Sequence, residues 1–304
     1  MNTNFPPTDF FDFNCRQECC SEVFRHVIAC LETHGLKGEA RALARWVFEL
    51  RFGIGQVQLL TDKDSYFSDE ERHELLFIVH RLIQGEPIQY ILGIAPFCGL
   101  NIGVRPGVLI PRPETEELVA WIVRQVESDF SALPIQILDV GTGSGCIALA
   151  LADQVPEAQV TAMDVSEDAL AIARQNAQDL RLAVRFVHGD ILQPAVSVCP
   201  KWHIVVSNPP YICYSEAKDM EHNVLDYEPH QALFVPDNDP LLFYRAIARY
   251  ALETLLPDGF LFFEINRAYA NEVVQMLSDL GFVRIEVRKD CFGNDRMVGC
   301  RMAG

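Results

Sequence analysis

The sequence lacks a segment that could cross a membrane or direct secretion. Among its 304 residues there is no apolar run of about 20, the length that spans a bilayer. Residues 1–13 show no basic region followed by an apolar core, which a signal peptide requires. We therefore expect a cytoplasmic protein that binds no membrane.

Positive charge is also scarce. The chain has 25 Lys and Arg against 42 Asp and Glu, a net charge of −17. An acidic surface repels phosphates, so stable binding to nucleic acid is disfavoured, although solubility alone explains most such charge. Hydrophobic residues make up 49% of the chain, enough for a full core in one large domain or two ordinary ones.

The cysteines lack the spacing of a metal site. Ten cysteines are scattered along the chain, several of them inside apolar runs, as expected of reduced thiols in a cytosolic protein. The group Cys15, Cys19, Cys20 and His26 matches no common zinc pattern. We predict that no metal is bound.

What the chain does have is apolar periodicity that changes character along its length. Residues 1 to about 20 are irregular, and from Ser21 three stretches show helical spacing, the third with Ser68 as its N-cap. This predicts a helical N-terminal domain over residues 1–87. Glycines punctuate residues 88–110, which have β character and predict a β-hairpin linker.

Strands and helices alternate over residues 111–304. The alternation predicts an α/β domain with right-handed crossovers and a mostly parallel seven-stranded sheet. The last two strands, joined near Gly293 and Asn294, predict an antiparallel hairpin at the sheet edge. The predicted strands are 135–140, 159–163, 184–187, 204–206, 259–265, 282–287 and 296–300, and the helices are 146–152, 167–180, 241–256 and 269–280.

A glycine-rich loop follows the first strong strand and opens a helix. It reads Asp139-Val140-Gly141-Thr142-Gly143-Ser144-Gly145. Its glycines let the backbone approach a ligand, and the helix presents free N–H groups. A dinucleotide-binding loop would have a glycine at the position of Cys146, so the sequence does not match the dinucleotide-binding motif. An Asp ahead of the glycines suits a ligand that carries positive charge.

Two further carboxylates follow the next two predicted strands. Asp164, before Val165, can accept hydrogen bonds from both hydroxyls of a ribose. The Asp190-Ile191 pair lies where it could recognise the amino group of an adenine. Each Asp alone is more often a turn former or helix cap. Their order along successive parallel strands brings them to one crevice. The combination predicts S-adenosylmethionine, which carries adenine, ribose and a sulfonium cation.

The string Asn208-Pro209-Pro210-Tyr211 follows a fourth apolar strand. Two prolines remove two N–H donors, so the carbonyl groups beside them are left without hydrogen bonds to a neighbouring strand. An Asn side chain beside such carbonyls can accept both N–H bonds of a planar NH₂ group. A plain turn explains the string about equally well when it is taken alone.

Together these motifs resemble the class I methyltransferases, whose fold is Rossmann-like, and among them the release-factor glutamine methyltransferases of the HemK type. The resemblance covers residues 21 to 302 and extends to four further motifs. These motifs are Gly85 to Gly93, Leu109 to Glu116, Asp226-Tyr227-Glu228-Pro229 and Gly293-Asn294-Asp295-Arg296. One departure is Pro96, which stands where the family usually has Glu before Phe97.

The resemblance implies methyl transfer from S-adenosylmethionine, with S-adenosylhomocysteine as product. The acceptor would be the side-chain amide nitrogen (N5) of the glutamine in the Gly-Gly-Gln motif of peptide chain release factors. Asn208, Pro209 and Tyr211 would be catalytic, and the substrate would also meet Pro210 and Phe97. Arg112, Pro113 and Thr115 would close the cofactor side, while Glu114 and Glu116 would start a helix. The residues that bind the cofactor would be Arg112, Pro113, Thr115, Gly141, Thr142, Gly143, Ser144, Gly145, Asp164, Val165, Asp190, Ile191 and Asn208.

Two other substrates stay open at this level. The glutamine methyltransferases of ribosomal protein L3 share the Gly143-Ser144-Gly145-Cys146 string, and nucleic-acid adenine or cytosine methyltransferases share the Asn-Pro-Pro-Tyr string. The second group needs a basic face, which a net charge of −17 opposes. We expect a monomer whose helical domain docks the protein substrate.

Overall fold

The structure is a computed structural model that describes residues 18–61, 65–130, 134–193 and 201–304. Contacts divide the chain into a first unit that ends at Leu92 and a second unit, Gly93–Gly304. Most of the predicted irregular N-terminus, including Cys15, lies outside the described residues. Within the described ranges no helix has both the length and the apolar character that crossing a membrane requires.

The first unit is helical, as predicted. Its helices are α1 (Cys20–Thr33), α2 (Ala40–Trp46) with a π-helical extension (Val47–Arg51), α3 (Gln56–Thr61), α4 (Asp69–Ile83) and α5 (Ile88–Leu92). Helix α4 begins at the predicted cap, where Ser68 Oγ accepts from Glu71 N at 3.2 Å and Glu71 Oε2 accepts from Ser68 N at 2.8 Å. Phe48 lies at the centre of the apolar core and is 0% exposed.

The predicted linker has β structure only in part. Residues Ile88–Leu92 form helix α5, because the Pro87 carbonyl accepts from the N–H groups of both Tyr90 and Ile91 and so starts a helical turn. Strands β1 (Ile94–Phe97) and β2 (Leu100–Gly103) then form the hairpin. Its two-residue turn needs positive φ at both positions, which Cys98 (49°) and Gly99 (81°) supply.

The second unit contains a seven-stranded sheet that confirms the predicted fold. The strands are β3 (Gln136–Val140), β4 (Gln159–Asp164), β5 (Val184–His188), β6 (Trp202–Ser207), β9 (Leu255–Glu264), β10 (Val283–Lys289) and β11 (Asp295–Arg301). Their spatial order is β10-β11-β9-β6-β3-β4-β5. β3, β4, β5, β6 and β9 pair in parallel, whereas β11 pairs antiparallel with β9 and β10. The carboxyl ends of the parallel strands therefore meet at one edge.

Helices cover both faces of this sheet, and short elements lie beyond β6. The helices are α6 (Pro113–Asp129), α7 (Cys146–Gln154), α8 (Glu167–Leu180), α9 (His222–Tyr227), α10 (His230–Leu233), α11 (Leu242–Thr254) and α12 (Ala270–Asp279). Strands β7 (Ile212–Cys213) and β8 (Phe234–Val235) form a separate parallel pair. The sequence patterns did not predict β7, β8, α9 or α10.

Helix α6 is held closely against the sheet. Its Trp121 ring meets the Phe262 ring edge-on at 5.2 Å. A Cβ at Gly299 of β11 would lie 2.7 Å from Trp121 Cη2, so a residue without a side chain is required there. The helix begins at Pro113 with Glu114 and Glu116 in its first turn, as expected, and this packing positions that turn at the end of β9.

Candidate active site

The carboxyl edge of the parallel strands opens into a cavity of about 290 Å³. Loops after β3, β4, β5 and β6 form its walls, together with the segment before α6, helix α10 and helix α11. The lining includes Arg112, Thr115, Gly141, Thr142, Gly143, Ser144, Asp164, Val165, Asp190, Ile191, Asn208, Pro209, Pro210, Gln231 and Phe243. Most of the predicted site residues thus converge here.

The glycine loop is fixed by the neighbouring strand. The Met163 carbonyl accepts from Gly141 N at 2.8 Å and Thr142 N at 3.0 Å, and Asp164 Oδ2 accepts from Gly143 N at 2.8 Å. Gly145 is not among the lining residues. At its φ of 86° a Cβ would lie 3.0 Å from Ala173 Cβ, so Gly145 allows α7 to pack closely on α8.

Two buried oxygen atoms near this loop have no hydrogen-bond partner among the described residues. They are Asp139 Oδ1 and Ser144 Oγ. Asp139 is 0% exposed, and its Oδ2 accepts from Thr142 Oγ1 at 2.6 Å. Burial raises the pKa of the Asp139 carboxyl to about 7, against the opposing Thr142 bond. The loop therefore holds polar groups that the described residues leave unsatisfied.

Asp164 and Asp190 both line the cavity with acceptor capacity to spare. Asp164 Oδ1 accepts from Ser166 N at 2.9 Å and its Oδ2 accepts from Gly143 N. Asp190 Oδ1 accepts from Leu192 N at 2.9 Å. A carboxylate has about four acceptor sites, so these backbone bonds orient each side chain and leave sites for hydroxyl or amino donors.

Asn208 lies at the start of the Asn-Pro-Pro-Tyr segment and faces the cavity. Its Nδ2 donates to Thr115 Oγ1 at 3.3 Å, and Thr115 Oγ1 donates to Glu264 Oε2 at 2.6 Å. Among the described residues no hydrogen bond ends on Asn208 Oδ1 or on the Pro209 carbonyl. Two acceptors from neighbouring residues are therefore available to one ligand group.

Tyr211 lies outside the cavity lining. Its hydroxyl donates to Glu264 Oε1 at 3.0 Å. The catalytic role expected for Tyr211 stays a prediction. Burial, together with the Glu264 charge, raises the pKa of the Tyr211 hydroxyl, so this group stays a donor.

Glu264 is the main polar residue that the sequence patterns missed. It ends β9, is 2% exposed, and accepts from both Thr115 and Tyr211. Burial raises its pKa, while these two hydrogen bonds and the Arg296 guanidinium oppose the rise. Glu264 stands near the end of the apolar run Phe260 to Ile265. A single carboxylate at the end of an apolar strand is the signal that identified Asp164, and the same signal could have identified Glu264.

In two further motifs of the resemblance, the Tyr-Glu-Pro segment and the segment around Asn294 and Arg296, a buried carboxylate fixes a neighbouring side chain. Glu228 of the Tyr-Glu-Pro segment forms an ion pair with Arg112, and its Oε2 accepts from Ile110 N at 3.0 Å. Asp290 accepts from Asn294 N at 2.9 Å and from Arg296 Nε at 3.1 Å. Glu228 thus fixes the cavity wall that holds Arg112, and Asp290 fixes the guanidinium of Arg296.

Besides Gly145 and Tyr211, two further predicted site residues lie away from the cavity lining. Phe97 is 1% exposed and pairs with Leu100 in the hairpin, where its ring belongs to the buried interior. Pro113 is the exposed first residue of α6, where its fixed φ suits a helix start. No described contact supports the pocket role expected for Phe97 or the cofactor role expected for Pro113. Both roles stay predictions.

The fold and the cavity define a methyltransferase. The Methyltransferase small domain family matches residues 122–227, and the PrmC N-terminal domain family matches residues 22–93. In fold, the second unit is similar to a T. thermophilus 16S rRNA N2 G1207 methyltransferase solved with AdoMet and guanosine, which is 18% identical. The TM-score is 0.51, and the match covers 69% of this chain and 49% of that one.

Curated relatives narrow the class. The chain is 45% identical over 260 residues to a release factor glutamine methyltransferase of Bacteroides thetaiotaomicron, which covers 86% of this chain and 92% of the relative. It is 43% identical over 252 residues to one of Flavobacterium psychrophilum, with 83% and 88% covered. The chain belongs to the release factor glutamine methyltransferase family.

Proposed function

We propose that this protein transfers a methyl group from S-adenosylmethionine to the side-chain amide nitrogen of a glutamine in a peptide chain release factor. The observation that supports this most is the pair of acceptors, Asn208 Oδ1 and the Pro209 carbonyl, beside the cavity formed at the strand ends. The family relatives carry the same activity in their names.

The residues around the cavity fit the proposed cofactor. Asp164 has free acceptor sites for ribose hydroxyls, and Asp190 lies one strand further along for an adenine. Asp139 Oδ1 lies beneath the loop with no partner among the described residues, and a cationic ligand beside it would favour the ionised form of the carboxyl. When bound, S-adenosylmethionine supplies an activated methyl group on a positively charged sulfur.

The chain's own contribution is to hold and orient the accepting nitrogen. A glutamine amide is a poor nucleophile because its lone pair is delocalised. Among the described lining residues no strong base stands beside Asn208. Asn208 Oδ1 and the Pro209 carbonyl each accept one N–H of the amide. Such alignment can supply about 7–11 kcal/mol of a barrier. Both acceptors also stabilise positive charge on the nitrogen before a proton leaves to water.

The first unit is proposed to dock the protein substrate. Its buried residues form an apolar core, while several large apolar side chains remain exposed on its surface. Val57 and Leu60 of α3 are 74% and 76% exposed. Exposed apolar side chains of this size suit a protein partner better than an anionic polymer. The second unit then supplies the chemistry.

Mass spectrometry tests the proposal. The protein is incubated with S-adenosylmethionine and a purified release factor, and the glutamine of the Gly-Gly-Gln loop is examined for one added methyl group. Parallel reactions contain ribosomal protein L3 or DNA with methyl-tritiated cofactor. We expect the label on release factor. Label on ribosomal protein L3 or DNA, with none on release factor, would overturn the proposal.

A further inference from the structure

We propose that Glu264 is a positioning residue that sets which end of the Asn208 amide faces the substrate. The inference rests on the proposed function, because the group to be held is a glutamine amide. Glu264 lies 2% exposed at the end of β9, and among the described contacts Thr115 links it to Asn208. Its effect is therefore on orientation and involves no contact with the reacting atoms.

The argument depends on one proton. An Asn amide carries oxygen at one end and nitrogen at the other, and the two ends differ little in shape. The Thr115 hydroxyl has a single proton, which it donates to Glu264 Oε2 at 2.6 Å. Toward Asn208 the hydroxyl can then only accept. This selects Nδ2 as the atom that meets Thr115, at 3.3 Å, and turns Oδ1 toward the cavity.

Glu264 is suited to this role because an ionised carboxylate only accepts. Its second oxygen is occupied by the Tyr211 hydroxyl at 3.0 Å, and that bond restricts rotation of the carboxylate. The Arg296 guanidinium, held by Asp290 at 3.1 Å, favours the ionised form. Burial raises the pKa of Glu264, while Arg296 and the two hydroxyl donors act against that rise, and the two hydrogen bonds hold the carboxylate oxygens in place as acceptors.

A glutamine at position 264 would have nearly the same shape but one donating end. If its NH₂ group faces Thr115, the threonine proton is released toward Asn208. The Asn208 amide then gains by turning Oδ1 to that proton, which leaves Nδ2 facing a substrate amide that also donates. Two donors facing each other cannot bind, so Glu264→Gln converts the clamp into a repulsive contact.

Kinetic measurements on the full chain provide the first test. We expect Glu264→Gln and Thr115→Val each to lower kcat for methylation of release factor by about 10–100-fold, the loss of one strong hydrogen bond. In Glu264→Gln the Kd of S-adenosylmethionine should change by less than about threefold, because Glu264 lies outside the cavity lining. Thr115→Ser keeps the hydroxyl and should transfer at least about tenfold faster than Thr115→Val. Glu272→Gln, on the exposed surface of α12, is the matched control.

A second readout follows the Asn208 amide itself. Asparagine side chains are labelled with ¹⁵N, and the Asn208 NH₂ signal is assigned by its loss in Asn208→Ala. We expect this signal to shift in Glu264→Gln and Thr115→Val, to return toward the original position in Thr115→Ser, and to stay in place in Glu272→Gln. An unmoved signal overturns the inference even where kcat falls, and wild-type rates in both variants overturn it as well. A shifted signal in a protein that does not methylate release factor supports the orientation and overturns the proposed function.

Discussion

The two units of the molecule differ in where they place polar side chains. In the first unit the described buried residues are apolar except for Arg72, whereas the described part of the second unit buries twelve polar or charged residues. Most of these twelve lie at the carboxyl edge of the sheet, among them Thr115, Asp139, Glu228 and Glu264. The first unit is therefore built for packing, and the second unit maintains a polar network within its core.

This difference predicts which substitutions should lower stability and which should lower activity. A buried polar group costs free energy unless it is satisfied, and the second unit retains Asp139 Oδ1 and Ser144 Oγ without partners. Both atoms belong to the loop beside the cavity, where a ligand could satisfy them. Substitutions in the core of the first unit should thus act mainly on stability, and those at the cavity mainly on methyl transfer.

The largest separation is expected for Asn208→Ala. The change removes one of the two acceptors, so methyl transfer should fall by about 10³-fold. Asn208 is half-buried and forms one weak bond to Thr115, so the free energy of unfolding should change by less than about 1 kcal/mol. Rates are measured with labelled cofactor, and cofactor affinity is measured separately by calorimetry. Transfer at the wild-type rate would refute the clamp.

Phe48→Ala should show the opposite behaviour. The ring is 0% exposed and meets Phe24 and Phe67 edge-on at 5.1 and 5.4 Å. Its removal leaves a cavity that should lower the free energy of unfolding by about 3–5 kcal/mol. Urea unfolding followed by circular dichroism measures this loss. Leu50→Ala, at 36% exposure in the same unit, is the control and should cost far less. An equal cost for the two would contradict the picture of a packed core.

The same contrast explains which features the sequence could predict. Helix α8 has the predicted bounds, Glu167–Leu180, because its amphipathic pattern and Ser166 cap are local signals. The pair of β7 and β8 was not predicted, because strands of two residues depend on a partner that is distant in sequence. Helix α5 was not predicted, because five residues are too few to show helical periodicity. Local pattern therefore determines the long elements.

The site divides in a similar way. Asp164, Asp190 and Asn208 were predicted because each follows a recognisable strand, and parallel strands bring their carboxyl ends together. Glu264 and Glu228 were not, because their partners Thr115 and Arg112 lie 149 and 116 positions away. Nothing local to these carboxylates indicates a partner, so their roles emerge only from the fold.

A pH experiment sharpens the contrast within the second unit. The folded-state pKa of Asp139 is about 7, above the ordinary value near 4 of an unfolded chain, so the folded state binds more protons. The contribution of this group to stability is fully present below about pH 4 and is lost as the pH rises through about 7. Asp139→Asn stays neutral. It should therefore unfold like wild type at pH 4 and be more stable by about 2–4 kcal/mol at pH 8.

Urea unfolding of both proteins at several pH values, without cofactor, measures that difference. Glu264 also has a raised pKa, and it contributes equally to both proteins, so the comparison isolates Asp139. An Asp139→Asn advantage that is constant across pH would mean that the carboxyl does not titrate in this range.

The smallest effect on stability is expected on the surface of the first unit. Val57→Ser with Leu60→Ser changes side chains that are 74% and 76% exposed, so the free energy of unfolding should stay within about 0.5 kcal/mol. If the first unit docks release factor, the KM for that protein should rise several-fold while kcat stays constant, because only binding outside the chemistry is lost.

Two exposed apolar residues of the second unit offer a matched control for this pair. Val283 and Val287 of β10 are 44% and 37% exposed, and β10 is the edge strand of the sheet. Val283→Ser with Val287→Ser also removes exposed apolar surface, although less than the α3 pair does, and should leave the KM for release factor unchanged. A rise in KM for this pair and none for the α3 pair would move the docking surface to the second unit. The first unit would then be a stabilising element only.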